Sequence, residues 1–249
     1  MSEDQQMHTI ILGHGHLGSA IAAAAAARGE RTSNHGRPAS GRHDAATFAD
    51  GDLVVDATRG DAVRANVEVA LAAGVRRFVI ATTGWADDRP SVERDLRDAG
   101  AAAVVSANFS VGVALFLRLA ETAAGLFDGV GGFDPFLVEW HRRAKADRPS
   151  GTALELARRL SDGRRSPAPE HDLEIVSIRA GVSPGMHLVG FDAAGETVEL
   201  RLTARDRSAY ATGALAAADW LRGATRTAGL HPFDPVVDDL LTRPAAVAA

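Results

Sequence analysis

One lysine stands among the 27 lysine and arginine residues of the chain, inside a segment rich in reactive side chains. Lys145 follows Glu139 and His141 and precedes a Pro-Ser-Gly-Thr turn at residues 149–152. An ammonium group is compact, can be desolvated and can release a proton near neutrality, whereas a guanidinium group cannot. A single lysine in a chain whose other basic residues are all arginine indicates a reaction for which a guanidinium group is unsuitable. We therefore predict an active site at residues 139–152.

Glu139 and His141 are two residues apart in a predicted strand at residues 136–141, so they share one face of it. A carboxylate beside an imidazole can hold the ring and raise its pKa, which suits a proton donor at neutral pH. His141 is therefore the candidate proton donor. The alternative is a partly exposed strand end without a catalytic role.

Ser150 is a predicted N-cap for a helix at residues 153–160. The unpaired amides at a helix start, with Gly151 and the Thr152 hydroxyl, favour an anion. Together with Lys145 they could bind a carboxylate while His141 handles the proton.

The elements that must position these residues begin with a strand, a glycine turn and a helix. The β-branched run 9–12 leads into Gly-His-Gly-His-Leu-Gly, followed by an alanine-rich helix. Gly13 permits the tight turn, Gly15 lets a pyrophosphate approach the backbone, and Gly18 allows close helix–strand packing. The predicted cofactor loop comprises Gly13, His14, Gly15, His16, Leu17 and Gly18. Its two histidines are turn residues rather than a metal pair, and we predict no metal.

Apolar runs recur at residues 53–56, 78–81 and 103–105, which predicts a doubly wound parallel sheet of the Rossmann type. Loops 56–59 and 81–85 then follow carboxyl ends of strands, where ligands bind in open α/β sheets. We predict that Ala81, Thr82 and Thr83 lie against a nicotinamide, and Arg59 could reach a substrate carboxylate. Either loop could instead be a simple turn.

The residues that follow the second predicted strand indicate whether the chain prefers NADH or NADPH. No acid follows it, whereas NAD sites usually place one against the ribose hydroxyl. Arg37, with Asn34 and His35 nearby, favours NADPH over NADH, and a plain surface arginine is the equal alternative.

The second half of the chain predicts a separate α+β domain. A packing helix at 111–127 precedes strand-like runs at 173–178, 187–191 and 197–202, which suggest an antiparallel or mixed sheet. A helix at 210–221 is expected to return to the first domain. We therefore predict a dinucleotide-binding domain from residues 1–108 and 208–249. Residues 109–207 are predicted to form a substrate-binding and oligomerisation domain.

Composition excludes several classes of protein. The chain has 249 residues, of which 46% are apolar and 24% charged, no cysteine, and a net charge of −5. Disulfides and thiolate zinc sites are absent, and the acidic balance disfavours nucleic acid. The sequence shows no signal peptide or membrane span. We expect a cytoplasmic enzyme acting on a small molecule.

The order of these motifs resembles the 4-hydroxy-tetrahydrodipicolinate reductases, the dihydrodipicolinate reductases of lysine and diaminopimelate biosynthesis. The match runs nearly end to end, and its most specific part extends from His141 through Lys145 to the Pro-Ser-Gly-Thr turn. The matching segments are 13–18, 81–84, 108–113, 139–152, 185–187, 195–196, and Arg207 with the helix that follows it.

The resemblance implies that NAD(P)H delivers hydride to a cyclic dicarboxylate, with hinge closure between the domains and a homotetrameric assembly. It implies that His141 donates the proton and that Lys145 assists proton handling or binds a carboxylate. The predicted substrate-binding residues are Thr83, Arg142, Lys145, Ser150, Gly151 and Thr152.

This chain also departs from the family pattern. Arg142 stands where a second histidine is usual, Ala81 where the family has glycine, and Gly60 where it often has proline; residues 106–107 are Ser-Ala where the family has Ala-Pro. Two alternatives therefore stay open. One is a related reductase of another cyclic imine or unsaturated acid, and the other is a non-catalytic dinucleotide-binding protein.

Overall fold

The computed structural model describes residues 7–164 and 173–243. Described residues up to Val111 and from Arg207 onward form one compact unit, and those from Gly112 to Asp206 form another. We call these the first unit and the second unit. The ends of the predicted dinucleotide-binding domain, residues 1–6 and 244–249, lie outside the described residues.

The first unit contains a six-stranded parallel sheet in the order β10-β5-β4-β3-β1-β2. This confirms the predicted doubly wound sheet. Its strands are β1 (Thr9–Leu12), β2 (Thr32–His35), β3 (Leu53–Asp56), β4 (Arg77–Ile80), β5 (Ala102–Val105) and β10 (Gly229–His231). Its helices are α1 (His16–Ala27), α2 (Gly60–Ala72), α3 (Arg89–Asp98), α6 (Ser208–Gly223) and α7 (Asp234–Thr242).

The central strands of this sheet are buried on both faces, which is why their sequences are apolar throughout rather than alternating. All four residues of β1, β3 and β5 are buried. The polar strand β2 still pairs in parallel with β1 at the sheet edge. Helix α6 packs against α1.

The second unit contains a four-stranded mixed sheet in the order β7-β6-β8-β9. Strand β6 runs parallel to β7 and antiparallel to β8, which confirms a mixed sheet distinct from the first. Its elements are α4 (Val111–Val130, the first residue of which belongs to the first unit), β6 (Asp134–His141), α5 (Gly151–Gly163), β7 (Glu174–Arg179), β8 (Met186–Ala193) and β9 (Glu196–Thr203).

The inner face of this sheet changes character along its strands. At one end Leu137, Val189 and Phe191 join a core with Phe116 of α4 and Leu156 of α5. Toward the carboxyl end of β6 the inward positions become polar, because the same alternation now presents charged and hydroxyl side chains. This polar end of the second sheet carries the candidate site.

The outer face of the same sheet is apolar and accessible in the single chain. Trp140, Val176 and Ile178 project from neighbouring strands and retain 38%, 43% and 41% exposure. Gly190 lies opposite Phe136, and a Cβ there would stand 2.2 Å from the Phe136 ring. The glycine therefore lets the aromatic ring lie flat on this face.

None of the helices in the described part of the chain combines the length and apolarity needed to cross a bilayer.

Candidate active site

The glycine turn after β1 has the geometry that its spacing predicted. Gly13 has a φ of 114°, and a Cβ on it would stand 2.4 Å from the Ala57 carbonyl oxygen. A Cβ on Gly18 would stand 2.0 Å from the Gly13 carbonyl oxygen. Gly15, in contrast, has no atom within 4 Å of its Cβ position, so its backbone is open to a ligand at the start of α1. The turn therefore fits a cofactor pyrophosphate.

Asp56 at the end of β3 joins the two ligand loops that follow β3 and β4. Its carboxylate is buried and accepts hydrogen bonds from the Thr58 amide at 3.0 Å, the Thr82 hydroxyl at 2.9 Å and Asn66 Nδ2 at 2.9 Å. Because Thr82 belongs to the loop after β4, the carboxylate fixes one loop against the other. Thr82 was predicted from the sequence to lie near the cofactor, whereas its contact with Asp56 was not predicted.

A cavity of about 430 Å³ opens beside the loop after β4, within the first unit. Both threonines of this loop line the cavity. Thr82 is buried and Thr83 is exposed, so Thr83 is the more accessible of the two to a ligand. The lining residues are Ile80, Thr82, Thr83, Gly84, Trp85, Ala86, Arg89, Val105, Ser106, Ala107 and Pro232. This is the side of the sheet where a nicotinamide is expected.

The loop after β2 carries positive and neutral groups. Arg37 is exposed, and the His14 ring reaches this segment through Nε2, 3.2 Å from the Asn34 carbonyl oxygen. The first acid after β2 is Asp44, and its carboxylate accepts a hydrogen bond from the Thr47 amide at the start of a short helical turn. No carboxylate within residues 32–43 therefore competes with a cofactor phosphate.

Glu139 is the centre of the polar cluster in the second unit. It has no exposed surface, and register places it opposite Ser177 on β7 and His187 on β8. Its Oε1 accepts hydrogen bonds from the Ser177 hydroxyl at 2.6 Å, Arg179 at 2.7 Å and the Ser150 amide at 3.0 Å. One carboxylate thus connects β6 to β7 and to the start of α5.

Burial opposes ionisation of Glu139, but the hydrogen bonds from Ser150, Ser177 and Arg179 hold its pKa at about 2. The carboxylate is therefore ionised at neutral pH. Sequence analysis identified Glu139 and missed Ser177 and Arg179, although both occupy inward positions of an alternating strand.

His141 lies beside Glu139, with its Nδ1 3.3 Å from Glu139 Oε2. The ring is nearly buried, and a Cβ on Gly185 would stand 3.0 Å from its Nε2, so a glycine leaves room beside that nitrogen. Burial lowers the pKa of His141 and the charges of Lys145 and Arg179 lower it further, while Glu139 raises it. The expectation of a raised pKa was therefore wrong, because burial together with Lys145 and Arg179 outweighs the carboxylates of Glu139 and Asp147.

His187 is a site residue that the sequence analysis did not select. Its ring lies edge-on to His141 with centroids 5.1 Å apart, and its Nε2 is 3.2 Å from the Ser150 hydroxyl. Burial and the neighbouring His141 lower the pKa of His187 to about 4. The signal that could have found it was present in the Gly-Met-His segment at 185–187.

The Lys145 ammonium group is paired with a neighbouring carboxylate. Its Nζ pairs with both carboxylate oxygens of Asp147, at 2.7 Å and 2.8 Å. Hydrogen bonding from Lys145 lowers the pKa of Asp147, and the Gly151 backbone also contributes. One carboxylate therefore already lies between the lysine and the start of α5.

The start of α5 has the predicted cap. The Ser150 hydroxyl accepts a hydrogen bond from the Ala153 amide at 3.2 Å, so Ser150 is the N-cap and the helix begins at Gly151. Gly151 is exposed and Thr152 is half-buried. Arg142 is also exposed, and its backbone amide donates to the Ser183 carbonyl.

Glu139, His141 and His187 place three oxygen or nitrogen atoms within 4.8 Å of one another, which is also a spacing for metal ligands. The charges around them disfavour a cation. Arg179 already occupies one oxygen of the carboxylate, and Lys145 lies close enough to lower the pKa of both histidines. The cluster is better suited to hold and move a proton.

Fold and site together define an NAD(P)H-dependent oxidoreductase, with a dinucleotide turn in one unit and a buried carboxylate–histidine cluster in the other. Residues 7–109 match the model of the dihydrodipicolinate reductase N-terminus, and residues 112–234 match that of the C-terminus. The chain belongs to the dihydrodipicolinate reductase family.

Individual proteins that resemble this chain carry names of the same family. The chain is 36% identical over 198 residues to the 4-hydroxy-tetrahydrodipicolinate reductase of Methanococcoides burtonii, covering 75% of this chain and 73% of that protein. Identity to the Rhodopseudomonas palustris reductase is also 36%, over 76% and 73% of the two chains. A dipicolinate-bound dihydrodipicolinate reductase from Paenisporosarcina sp. TG-14 shares the fold, with a TM-score of 0.71 at 18% identity over 92% and 98% of the chains.

The lowered pKa of His187 predicts a loss of stability in acid. Between pH 6.5 and 4 the unfolded chain binds a proton at this ring while the folded chain does not, so stability falls as pH falls through this window. His187→Gln should reduce the difference in unfolding free energy between pH 7 and pH 4 by up to about 3 kcal/mol. Urea unfolding at the two pH values measures this.

His231→Gln is the matched control, since the His231 ring belongs to the first unit and pairs with the Thr227 carbonyl. Equal pH dependence in His187→Gln and the wild-type chain would contradict the buried, neutral state of His187.

Proposed function

We propose that this chain reduces 4-hydroxy-tetrahydrodipicolinate to tetrahydrodipicolinate, with loss of water, in lysine and diaminopimelate biosynthesis. The observation that carries the proposal is the buried Glu139–His141 pair beside the Ser150 helix start and Lys145. The names of the relatives support the same reaction. A bound reduced nicotinamide supplies the hydride, and the protein must supply a proton and hold the substrate.

His141 is the proposed proton donor. Glu139 Oε2 can only accept, so it favours a proton on the facing Nδ1 of the neutral ring. Nε2 is then the nitrogen that gains and releases the transferred proton. Gly185 leaves space beside that nitrogen, which a side chain would close.

Lys145 and the start of α5 are the proposed carboxylate grip. The carboxylate of Asp147 already pairs with Lys145 Nζ and interacts with the Gly151 backbone, which shows that these two groups can converge on one carboxylate. A substrate carboxylate would take the same partners, with the Thr152 hydroxyl and the Ser150 cap beside them. The exposed Arg142 would bind a carboxylate of the substrate at the position where the family pattern has a second histidine.

The cofactor is proposed to lie along the first sheet. The open backbone at Gly15 suits the pyrophosphate, and His14, His16 and Leu17 flank it in the same turn. The nicotinamide would lie in the cavity lined by Thr82 and Thr83, next to Ala81. Residue Thr83, which is exposed, can contact the substrate as well.

NADPH is the proposed preference at the adenosine end. The loop after β2 presents Arg37 and lacks an acid until Asp44, whose carboxylate is used in its own cap. A 2′-phosphate can pair with a guanidinium, whereas the ribose hydroxyl of NADH meets no carboxylate here.

His141→Gln should lower kcat by about 10²- to 10⁴-fold, because it removes the proposed general acid. Lys145→Ala should lower kcat by a similar factor, because it removes a cation that holds the substrate carboxylate in the reactive orientation. Cofactor affinity should stay near the wild-type value. Loss of reduced nicotinamide absorbance with added cyclic substrate measures kcat, and nicotinamide fluorescence measures affinity.

Arg143→Ala is the control for these variants, since Arg143 is an exposed cation in the same loop whose backbone amide bonds to Gly181. An unchanged kcat in both site variants would refute the assigned roles. Absence of turnover by the wild-type chain with purified substrate would refute the reaction itself.

Arg37→Ala should weaken NADPH binding by about 10- to 100-fold, the effect of losing one charge-assisted phosphate contact, and leave NADH binding unchanged. Fluorescence titration with each cofactor measures both affinities. Arg42→Ala, which removes a cation paired with Glu68 at 3.3 Å, should leave both unchanged. Equal losses for NADPH and NADH would contradict a role in phosphate recognition.

We propose that the chain assembles as a homotetramer through the outer face of the second sheet. The support is the accessible apolar surface of Trp140, Val176 and Ile178. Ile178→Asp should lower the molar mass measured by light scattering, because a carboxylate cannot be buried there without a partner. Leu126→Asp, at an exposed position on α4, should keep the wild-type mass. An unchanged mass for Ile178→Asp would exclude this face.

A further inference from the structure

The charged groups that face His141 balance one another. Glu139 on the same strand and Asp147 in the following loop are negative, whereas Lys145 in that loop and Arg179 on β7 are positive. The neighbouring element β8 adds the ring of His187, with its pKa lowered to about 4. The free site therefore has two neutral imidazoles among charges that sum to zero.

The other cations of this loop lie farther toward solvent. Arg142, Arg143 and Arg148 are exposed, and Arg148 donates to the Ser177 carbonyl. Solvent screens exposed charges strongly, so they offset a charge bound inside the cluster less than Lys145 and Arg179 do.

The second carboxylate oxygen of Glu139 accepts no hydrogen bond from the described residues. Glu139 Oε2 and His141 Nδ1 are each buried without a hydrogen-bond partner among the described residues, although they lie 3.3 Å apart. A charged imidazole would draw the two atoms into a charge-assisted hydrogen bond, which is stronger than a neutral one. Glu139 Oε2 is therefore positioned to stabilise a protonated His141 ring, although the ring is neutral in the free site.

Binding of a dicarboxylate ligand would change the sum of the charges around His141. Two added negative charges beside Lys145 and the start of α5 would leave an excess of negative charge around His141, because Glu139 and Asp147 already balance Lys145 and Arg179. The nearest titratable groups that can answer with a positive charge are the two imidazoles. His141 is the better acceptor, because Glu139 lies 3.3 Å from its ring and 3.7 Å from the His187 ring.

We infer that binding of the dicarboxylate is coupled to uptake of one proton from solvent, and that His141 holds this proton. The inference rests on the proposed function, since it takes the substrate to be a cyclic dicarboxylate. The proton donor is then charged only when substrate is present.

The coupling closes the balance of the reaction. The 4-hydroxyl group of the substrate leaves as water together with a proton from the adjacent ring carbon. Hydride then adds to one atom of the carbon–carbon double bond so formed, and the proton on His141 Nε2 transfers to the other. The imidazole returns to its neutral form, and release of the dicarboxylate leaves the site uncharged as before. The proton consumed by the reduction therefore enters with the substrate rather than during the chemical step.

Calorimetric titration tests this without turnover. The full chain saturated with NADPH is titrated with pyridine-2,6-dicarboxylate at pH 7 in phosphate, HEPES and Tris buffers, whose ionisation enthalpies differ. The slope of binding enthalpy against buffer enthalpy counts protons, and we expect uptake of about half to one proton per ligand. Benzene-1,3-dicarboxylate, which has no ring nitrogen, should give the same uptake.

His141→Gln should still bind the ligand but with a slope near zero, whereas His231→Gln should keep the wild-type slope. If His141→Gln does not fold, the nitrogen chemical shifts of isotope-labelled histidines in the wild-type chain report the same proton directly.

The outcomes separate the inference from the function on which it rests. Tight binding without proton uptake, uptake only with the pyridine ligand, or uptake that survives in His141→Gln would overturn proton coupling at His141 and leave the reductase intact. No binding of either dicarboxylate would contradict the proposed substrate class and the coupling together.

Discussion

The ionised carboxylate of Glu139 has no exposed surface, and the arrangement of the second unit's site depends on how that charge is stabilised. Burying a carboxylate costs several kcal/mol unless partners replace its water. Here Arg179, the Ser177 hydroxyl and the Ser150 amide all donate to one oxygen. Because these donors belong to β7 and to the start of α5, satisfying the charge also fixes the helix start beside His141. Stability and site geometry therefore have the same physical cause.

The first unit uses the same device with different partners. Asp56 is buried at the end of β3, and neutral donors from Thr58, Thr82 and Asn66 satisfy it. Within residues 7–164 and 173–243 the donors to this carboxylate are neutral, so it orients two loops without placing a cation near the cofactor loop. In both units a buried carboxylate at or near the end of a strand accepts hydrogen bonds from loop residues and so fixes the position of the loop.

Departures from the family pattern have structural reasons in part. Gly60, where the family pattern given in the sequence analysis often has proline, begins α2, and a Cβ there would stand 2.1 Å from the Gly84 carbonyl oxygen. The close approach of the helix start to the loop after β4 therefore requires glycine. Arg142 is exposed and its side chain makes no contact that explains it among the described residues. Nothing in the structure explains Ala81 in place of glycine.

Local patterns in the sequence determined the fold class and half of the site. Alternation along β6 put Glu139 and His141 on one face, glycine spacing defined the cofactor turn, and Ser150 was identified as a cap, because each depends on neighbours within a few residues. The tertiary structure alone brought Ser177, Arg179 and His187 to Glu139, since strand register is set by packing between segments about 40 residues or more apart in the chain. It also decided that the pKa of His141 falls rather than rises, because burial is the largest cause and depends on packing, and because β7 brings the charge of Arg179 to the ring.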